Sequence, residues 1–344
     1  MEISITVPDV STLSEVARHA GVGIGTVSRV INNQPNVSEG MRARVMESIA
    51  AVGYKMPRRR RPDPSTRASY IGVLTVFFDE PSVYERCKGL IGHLQPLGYE
   101  VVVYNAVAPQ QISAQLEAMV SHPLDGAVVI SAQLDDDDAR ILRQAPFPVV
   151  LLDTFREGFR SVGIDDRFGG EIAARHLLDM GHKRIGFVGE PVNQFGFMAS
   201  SLREQGFRDA HRKAGVKVDE ILVRHGAHVR SAAKQLATDL LSLPRPVTAI
   251  VATSDVQAIG VLEAASELGV KVPDQLSVIG YDDLEIASLL GITTIRQQLE
   301  LSGQRGAALV VDAINGSASH GTQEKIDVEV VIRNTTRPPE TKKS

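Results

Sequence analysis

The chain of 344 residues holds one cysteine, Cys87, and no tryptophan, and only 5% of its residues are aromatic. A single cysteine excludes an intrachain disulfide and any cysteine-cluster metal centre, and no metal site is expected. So few aromatic rings make a stacked purine pocket the less supported option, though an open one. No apolar run approaches the roughly 18–20 residues of a membrane-spanning helix, so no membrane partner is expected. Nor does a charged stretch followed by an apolar one open the chain, so the expected compartment is the cytoplasm. Glycine-rich phosphate loops of the usual patterns and a G-x-S-x-G nucleophile elbow are both absent, which counts against an enzyme; no cofactor is expected.

What is there describes a globular protein with ample core: 43% hydrophobic and 23% charged residues. Its length suits a small domain joined to a larger body. The net charge of −4 conceals an asymmetry. Residues 1–67 carry ten Lys and Arg against six Asp and Glu, leaving 27 against 35 for the remainder. A basic head on an acidic body suits a head that meets a polyanion.

Within that head, Leu13, Val16, Ala17 and Ala20 recur at helical spacing. Thr12 is a suitable N-cap, Glu15 completes a capping box, and Gly21 ends the helix. A second apolar series, Val22, Thr26, Val27, Val30 and Ile31, follows a tight turn. Two short helices about a glycine turn outline a helix-turn-helix, whose second helix enters the DNA major groove. A helical hairpin used only for packing would share that outline. A third helix is expected from Ser38, its N-cap, to Gly53.

Residues 57–67 hold three prolines and five arginines, a composition that forms neither helix nor core. This linker is either a solvated spacer or an arm laid on DNA phosphates or in a minor groove. From Tyr70 the pattern changes to short apolar runs alternating with amphipathic stretches. Strands are expected at Ile71–Val76, Glu100–Tyr104, Gly126–Ile130, Val149–Leu152, Arg184–Val188, Ile221–Arg224, Ala249–Ala252 and Ser277–Gly280. Helices are expected at Glu85–Leu97, Gly170–Met180, Leu202–Ala214, Ser231–Leu243 and Val256–Leu268. That alternation argues for parallel sheets covered on both faces, arranged as two doubly wound lobes. Ligands of such lobes bind beyond the carboxyl ends of the strands. The run Asp135–Asp138 is read as a helix cap, and His176 and His182 as structural.

Taken together, the motifs Thr26-Val-Ser-Arg-Val30, Gly53-Tyr54, Asp125-Gly126, Gly181-His182, Ser277-Val-Ile-Gly-Tyr-Asp-Asp283 and Thr293-Thr-Ile-Arg-Gln297 resemble the lactose-repressor/galactose-repressor family of transcription regulators, in order, from about residue 11 to 338. The resemblance implies a helix-turn-helix headpiece over 10–56, a linker over 57–69, a periplasmic-binding-protein-like body of two doubly wound parallel-sheet lobes over 70–338, and a tail over 339–344. It implies a homodimeric repressor on a pseudo-palindromic double-stranded operator, with a small effector between the lobes. Its rivals are a cytoplasmic sugar-metabolising enzyme and a periplasmic-type sugar receptor.

On the DNA side the resemblance assigns Thr12, Leu13, Gly23, Ile24, Gly25, Thr26, Ser28, Arg29, Asn32 and Ser38, with Arg58, Arg59, Arg60 and Arg61 from the linker. Arg29 suits a guanine, and Ile24 suits a thymine methyl. Gly23 and Gly25 stand where the family has a serine cap and base-reading side chains, so direct readout is expected to be thin. Asp63, between two prolines, replaces the leucine that relatives wedge into the minor groove, and the four arginines are expected to take over that contact. Effector contacts map to Asp79, Glu80, Ser82, Val83, Asp153, Arg203, Ser254, Asp282 and Gln297, a set suited to a sugar, polyol or sugar acid. Ala227 stands where relatives carry a stacking ring, and His228 either substitutes for it or is structural.

Overall fold

The structure, a computed structural model, describes residues 13–31, 38–52, 69–76, 78–191, 198–317 and 321–340. They form two compact units that divide after Arg67. In the first, α1 (Leu13–Ala20), α2 (Ile24–Ile31) and α3 (Glu39–Val52) close on a small core that includes Val16, Val27, Val30, Val45 and Ile49. Gly21 takes φ +66°, and the Val22 and Gly21 amides donate back to the carbonyls of Ala17 and Arg18. That pairing satisfies the last carbonyls of α1 and turns the chain into α2. At the start of α2 the Gly23 carbonyl accepts from the amides of Thr26 and Val27, so glycine holds the cap position without a side-chain acceptor.

The second unit begins β1 (Ser69–Thr75), α4 (Pro81–Leu94), β2 (Tyr99–Asn105), α5 (Ile112–Ser121), β3 (Gly126–Ile130), α6 (Asp136–Arg143), β4 (Val149–Leu152) and β5 (Arg160–Ile164). A first crossing leads to α7 (Asp166–Asp179), β6 (Ile185–Gly189), α8 (Ala199–Lys213), β7 (Val223–His225), α9 (Arg230–Leu241), β8 (Ala249–Ala252), α10 (Asp255–Glu267), β9 (Ser277–Asp282), α11 (Glu285–Leu289) and β10 (Thr293–Arg296). A second crossing leads back to α12 (Leu299–Ile314) and β11 (Gln323–Ile326), and a third to β12 (Glu329–Val331).

Two six-stranded sheets result, in the orders β11-β5-β4-β3-β1-β2 and β12-β10-β9-β8-β6-β7. The second repeats the connectivity of the first, strand for strand. All pairings are parallel except that of β12 with β10. Every residue of β3, β4, β6 and β8 is buried, which is why these strands read as continuous apolar runs. On one face of the first sheet lie α4 and α12, on the other α5 and α6; α7 and α8, then α9 and α10, cover the second sheet.

Two of the helix crossings that depend on glycine are reciprocal. A Cβ on Gly89 would stand 2.0 Å from the Glu300 carbonyl oxygen, and one on Gly303 would stand 1.9 Å from that of Arg86. Between α7 and α8 the same reciprocal contact recurs, with Gly170 against the Arg203 carbonyl at 2.0 Å and Gly206 against that of Arg167 at 1.9 Å. No other residue lets these backbones approach so closely.

Several elements differ from expectation. The segment expected as strand Ile221–Arg224 opens with a 3-10 turn, Glu220–Leu222, because the Asp219 carboxylate accepts from the Ile221 amide; only Val223–His225 pairs with β6. The helix α4 starts at Pro81, not Glu85, since proline at the first position costs no hydrogen bond. β5, β10, β11 and β12, with three to five residues each, were not expected, since each carries polar or charged residues that break the apolar run. Asp135 does cap α6, but Asp138 is buried and accepts from the Ser113 hydroxyl at 2.7 Å.

Candidate functional site

The carboxyl ends of both sheets face one cleft, and most of the expected effector residues meet there. Asp153 follows β4, Asp282 ends β9, and Gln297 sits on the second crossing. Asp282 and Gln297 are buried, and the Asp153 side chain is 6% exposed. The backbone is strained here: Ser131, Asp153, Asp282 and Gln298 have φ of +55°, +64°, +115° and +55°. Non-glycine residues hold such angles, at about 1–3 kcal/mol each, only where their surroundings dictate it.

Arg203 comes from α8. Its Nε and Nη2 both lie 2.8 Å from Asp166 Oδ1, its Nη1 donates to the Thr253 carbonyl at 2.6 Å, and its guanidinium lies 3.7 Å from the Tyr281 ring centroid. Burial opposes this charge, but Asp166, Tyr281 and Asp282 outweigh it and keep the guanidinium ionised above its ordinary range. Burial also pushes the carboxyls of Asp166 and Asp282 up, against the pull of Arg203 on both. Beneath them Asp255 is pushed up to about 8 by burial and by Asp282, while accepting from the Thr294 hydroxyl and the Leu284 amide.

Sequence reasoning missed Arg86. It is 3% exposed on α4, and its Nη2 donates to Asp153 Oδ1 at 2.7 Å and to Gln297 Oε1 at 2.9 Å. Ser131 donates to the other Asp153 oxygen at 2.8 Å, and the Gln297 amide donates to Asp282. The Arg86 guanidinium therefore links the first lobe to the second crossing and, through Gln297, to the second lobe. A lone arginine among the core positions of α4 was the one signal available. Asp166 and Glu190 were missed for a similar reason, as ordinary acidic residues beside a strand or helix end.

At the mouth, His228 Nε2 lies 3.6 Å from Glu80 on the first lobe, and its Nδ1 lies 3.2 Å from Glu190 on the second. Burial works against the imidazolium, but Glu190, Glu80 and Asp282 prevail and raise its pKa. His228 therefore stands between a carboxylate of each lobe. Burial likewise raises the Glu80 carboxyl.

The other expected residues are placed by the fold as follows. Val83 is buried in the core of the first lobe. Ser254 is buried and caps α10, accepting from the Gln257 amide at 3.2 Å. Ser82 offers its carbonyl to Arg86 Nη1 at 3.3 Å, and Asp79 is exposed. A cavity of 620 Å³ adjoins Asp282, lined also by Glu85, Lys88, Asp283, Arg296 and Gln298. His176 and His182 are structural, bonded to Thr336 and to Thr248 with the Arg337 carbonyl. The three crossings are tied by Gln298 to the Asp327 carbonyl at 3.0 Å and by Lys325 to Asp165 at 3.4 Å.

On the headpiece, Gly23, Ile24 and Gly25 are all exposed at the start of α2, and Ile24 shows 52% of its surface. Thr26 is half-buried, and Ser38 stands at the cap of α3 with its carbonyl accepting from the Arg42 amide at 2.9 Å. Thr12, Asn32 and Arg58–Arg61 lie outside the described residues; for Leu13, Ser28 and Arg29 only the helical backbone is described.

Residues 12–56 match the family described as bacterial regulatory proteins, lacI family, and residues 174–336 match the periplasmic binding protein-like domain. The HTH-type transcriptional regulator GalR of Escherichia coli K12 is 29% identical over 307 residues, 88% of each chain. Among solved structures, the transcriptional regulator CelR–cellobiose complex is 29% identical with a TM-score of 0.70, covering 94% of this chain and 99% of that one. The lac repressor dimer bound to operator and the anti-inducer ONPF is 26% identical with a TM-score of 0.70, covering 96% and 100%. No described helix is long and apolar enough to cross a membrane.

Proposed function

The chain belongs to the lacI family of bacterial regulatory proteins and is a DNA-binding transcriptional regulator, not an enzyme, and from that premise we propose that it is a repressor controlled by a carbohydrate-like effector. The observation that carries this reading is the cleft between two equivalent lobes. Carboxylates, a glutamine amide and guanidinium groups there offer the paired acceptors and donors that vicinal hydroxyls require. The cellobiose of the CelR complex supports a sugar or polyol, or a sugar acid if Arg203 offsets the Glu80 and Glu190 charge.

The effector acts through its different affinity for two lobe arrangements, and the crossings transmit that difference to the headpieces. A homodimer supplies two headpieces for a pseudo-palindromic operator in the cytoplasm. Exposed Tyr84, Ile91 and Leu97 on the first lobe, with Leu289 and Leu290 on the second, offer apolar surface for the partner copy. Ile24 and Arg29 read bases, while Arg58–Arg61 contact phosphates or an A·T-rich minor groove. A gel shift on the protein's own upstream DNA across salt concentrations tests the operator, and a thermal-shift screen of sugars, sugar acids and purines tests the effector. A sugar that binds yet leaves the retarded band unchanged would refute effector control.

A further inference from the structure

We propose that Arg86 is a specificity-determining residue of the effector cleft, the first-lobe counterpart of Arg203; this rests on the effector reading above. The argument is the internal repeat. In the two sheets β1 corresponds to β6, β3 to β8 and β4 to β9. After β1 comes α4, with Arg86 and, three residues on, Gly89; after β6 comes α8, with Arg203 and, three residues on, Gly206. Each glycine makes the close crossing of its lobe, Gly89 with α12 and Gly206 with α7. Each arginine is thereby pinned by backbone contact at its own carbonyl, Arg86 against Gly303 and Arg203 against Gly170.

The strand ends correspond as well. Ser131 after β3 and Asp153 after β4 match Thr253 after β8 and Asp282 at the end of β9, and both aspartates carry positive φ. The two lobes thus bring one guanidinium and one strand-end carboxylate each to the same cleft.

In the first lobe this set is closed upon itself. Asp153 already accepts from Arg86 and from Ser131, and Gln297 already joins Arg86 to Asp282. Arg86 Nε is buried and has no hydrogen-bond partner. Both Asp153 oxygens are thus engaged, and the unsatisfied group that the first lobe holds beside the cleft is a donor, Arg86 Nε. The site selects ligands that present oxygen acceptors toward the first lobe, and a group that can only donate, such as the ammonium of an amino sugar, gains little there.

The test is a thermal-shift and calorimetric panel of neutral sugars (D-ribose and cellobiose among them), sugar acids and amino sugars. It is run on the full-length wild type, Arg86→Lys, Arg86→Met and Arg86→Met with Asp153→Asn. The double variant guards against unfolding, because it removes the unpaired carboxylate together with its partner. For any compound that stabilises the wild type, both Met variants lose at least about tenfold in affinity, as loss of a hydrogen bond from a charged donor implies. Lys restores only part, and the ranking of the panel shifts toward compounds with fewer acceptors. A folded double variant with wild-type affinities and ranking would overturn the assignment of Arg86. If no compound stabilises the wild type, the carbohydrate reading fails and the proposal falls with it.

Discussion

Replacing Arg203 by methionine keeps most of the side-chain volume and removes the charge. Three interactions go with it: the paired approach to Asp166, the 2.6 Å bond to the Thr253 carbonyl and the stack on Tyr281. Asp166 is left without its cation where the pair's side chains are only 9% and 11% exposed. Breaking a pair in such surroundings costs about 3–5 kcal/mol, because the remaining charge has lost its solvent as well as its partner. Adding Asp166→Asn removes that stranded charge, so the double variant recovers a large part of the loss. The penalty also depends on pH. Without Arg203, burial drives the Asp166 carboxyl further up, so the native state holds a proton that the unfolded chain releases above about pH 4. Stability then falls as pH rises through that interval, and the deficit of Arg203→Met is smaller at pH 5 than at pH 8. Urea titrations of wild type, single and double variants at both pH values measure this. Equal deficits in the single and double variants, or a deficit indifferent to pH, would refute the account of Asp166 as a stranded buried charge.

Three further outcomes are expected. The Glu80–His228–Glu190 bridge needs the imidazolium, whose pKa is raised in the fold by Glu190, Glu80 and Asp282, so its contribution is complete below about pH 6.5 and is lost as pH rises through the raised value. The melting-temperature gap between wild type and His228→Asn should therefore narrow between pH 6.5 and 9, and a constant gap would count against the bridge. Changing Arg58–Arg61 to alanine should weaken operator binding at low salt and reduce the slope of log K against log salt by about 0.9 for each phosphate no longer neutralised, read from gel shifts. Gly303→Ala would place a Cβ 1.9 Å from the Arg86 carbonyl, force α12 from α4, and destabilise by about 1–3 kcal/mol or more. Its ligand-induced melting shift should shrink as well, because Arg86 moves with α4.

The headpiece was legible because its signals are local. A helix of eight residues, a glycine at positive φ and an apolar face at 3.6 spacing are all written within about twenty positions of each other. The two-lobed α/β body was legible for a related reason: buried parallel strands show as short apolar runs, and helices cover them at regular intervals. The strands that escaped are those with polar or charged residues in them, such as Arg160 in β5, Arg296 in β10 and Gln323-Glu-Lys325 in β11, and so did the turn at Glu220–Leu222, where one aspartate side chain overrides the apolar pattern of its neighbours.

The amino-acid sequence by itself determined the class of protein, the basic head and acidic body, the motifs of the family and the residues at the strand ends. Tertiary structure alone decided which of those residues engage one another. Arg86 bonds Asp153 across 67 positions and Gln297 across 211, and His228 stands between Glu80 and Glu190. Pairing at such separations depends on how two sheets and three crossings bring their ends together, and on glycines that let helices touch at their backbones. Neither leaves a periodic trace. An arginine on an apolar helix face reads as an exception in sequence, whereas in the fold it pairs with Asp153 and Gln297.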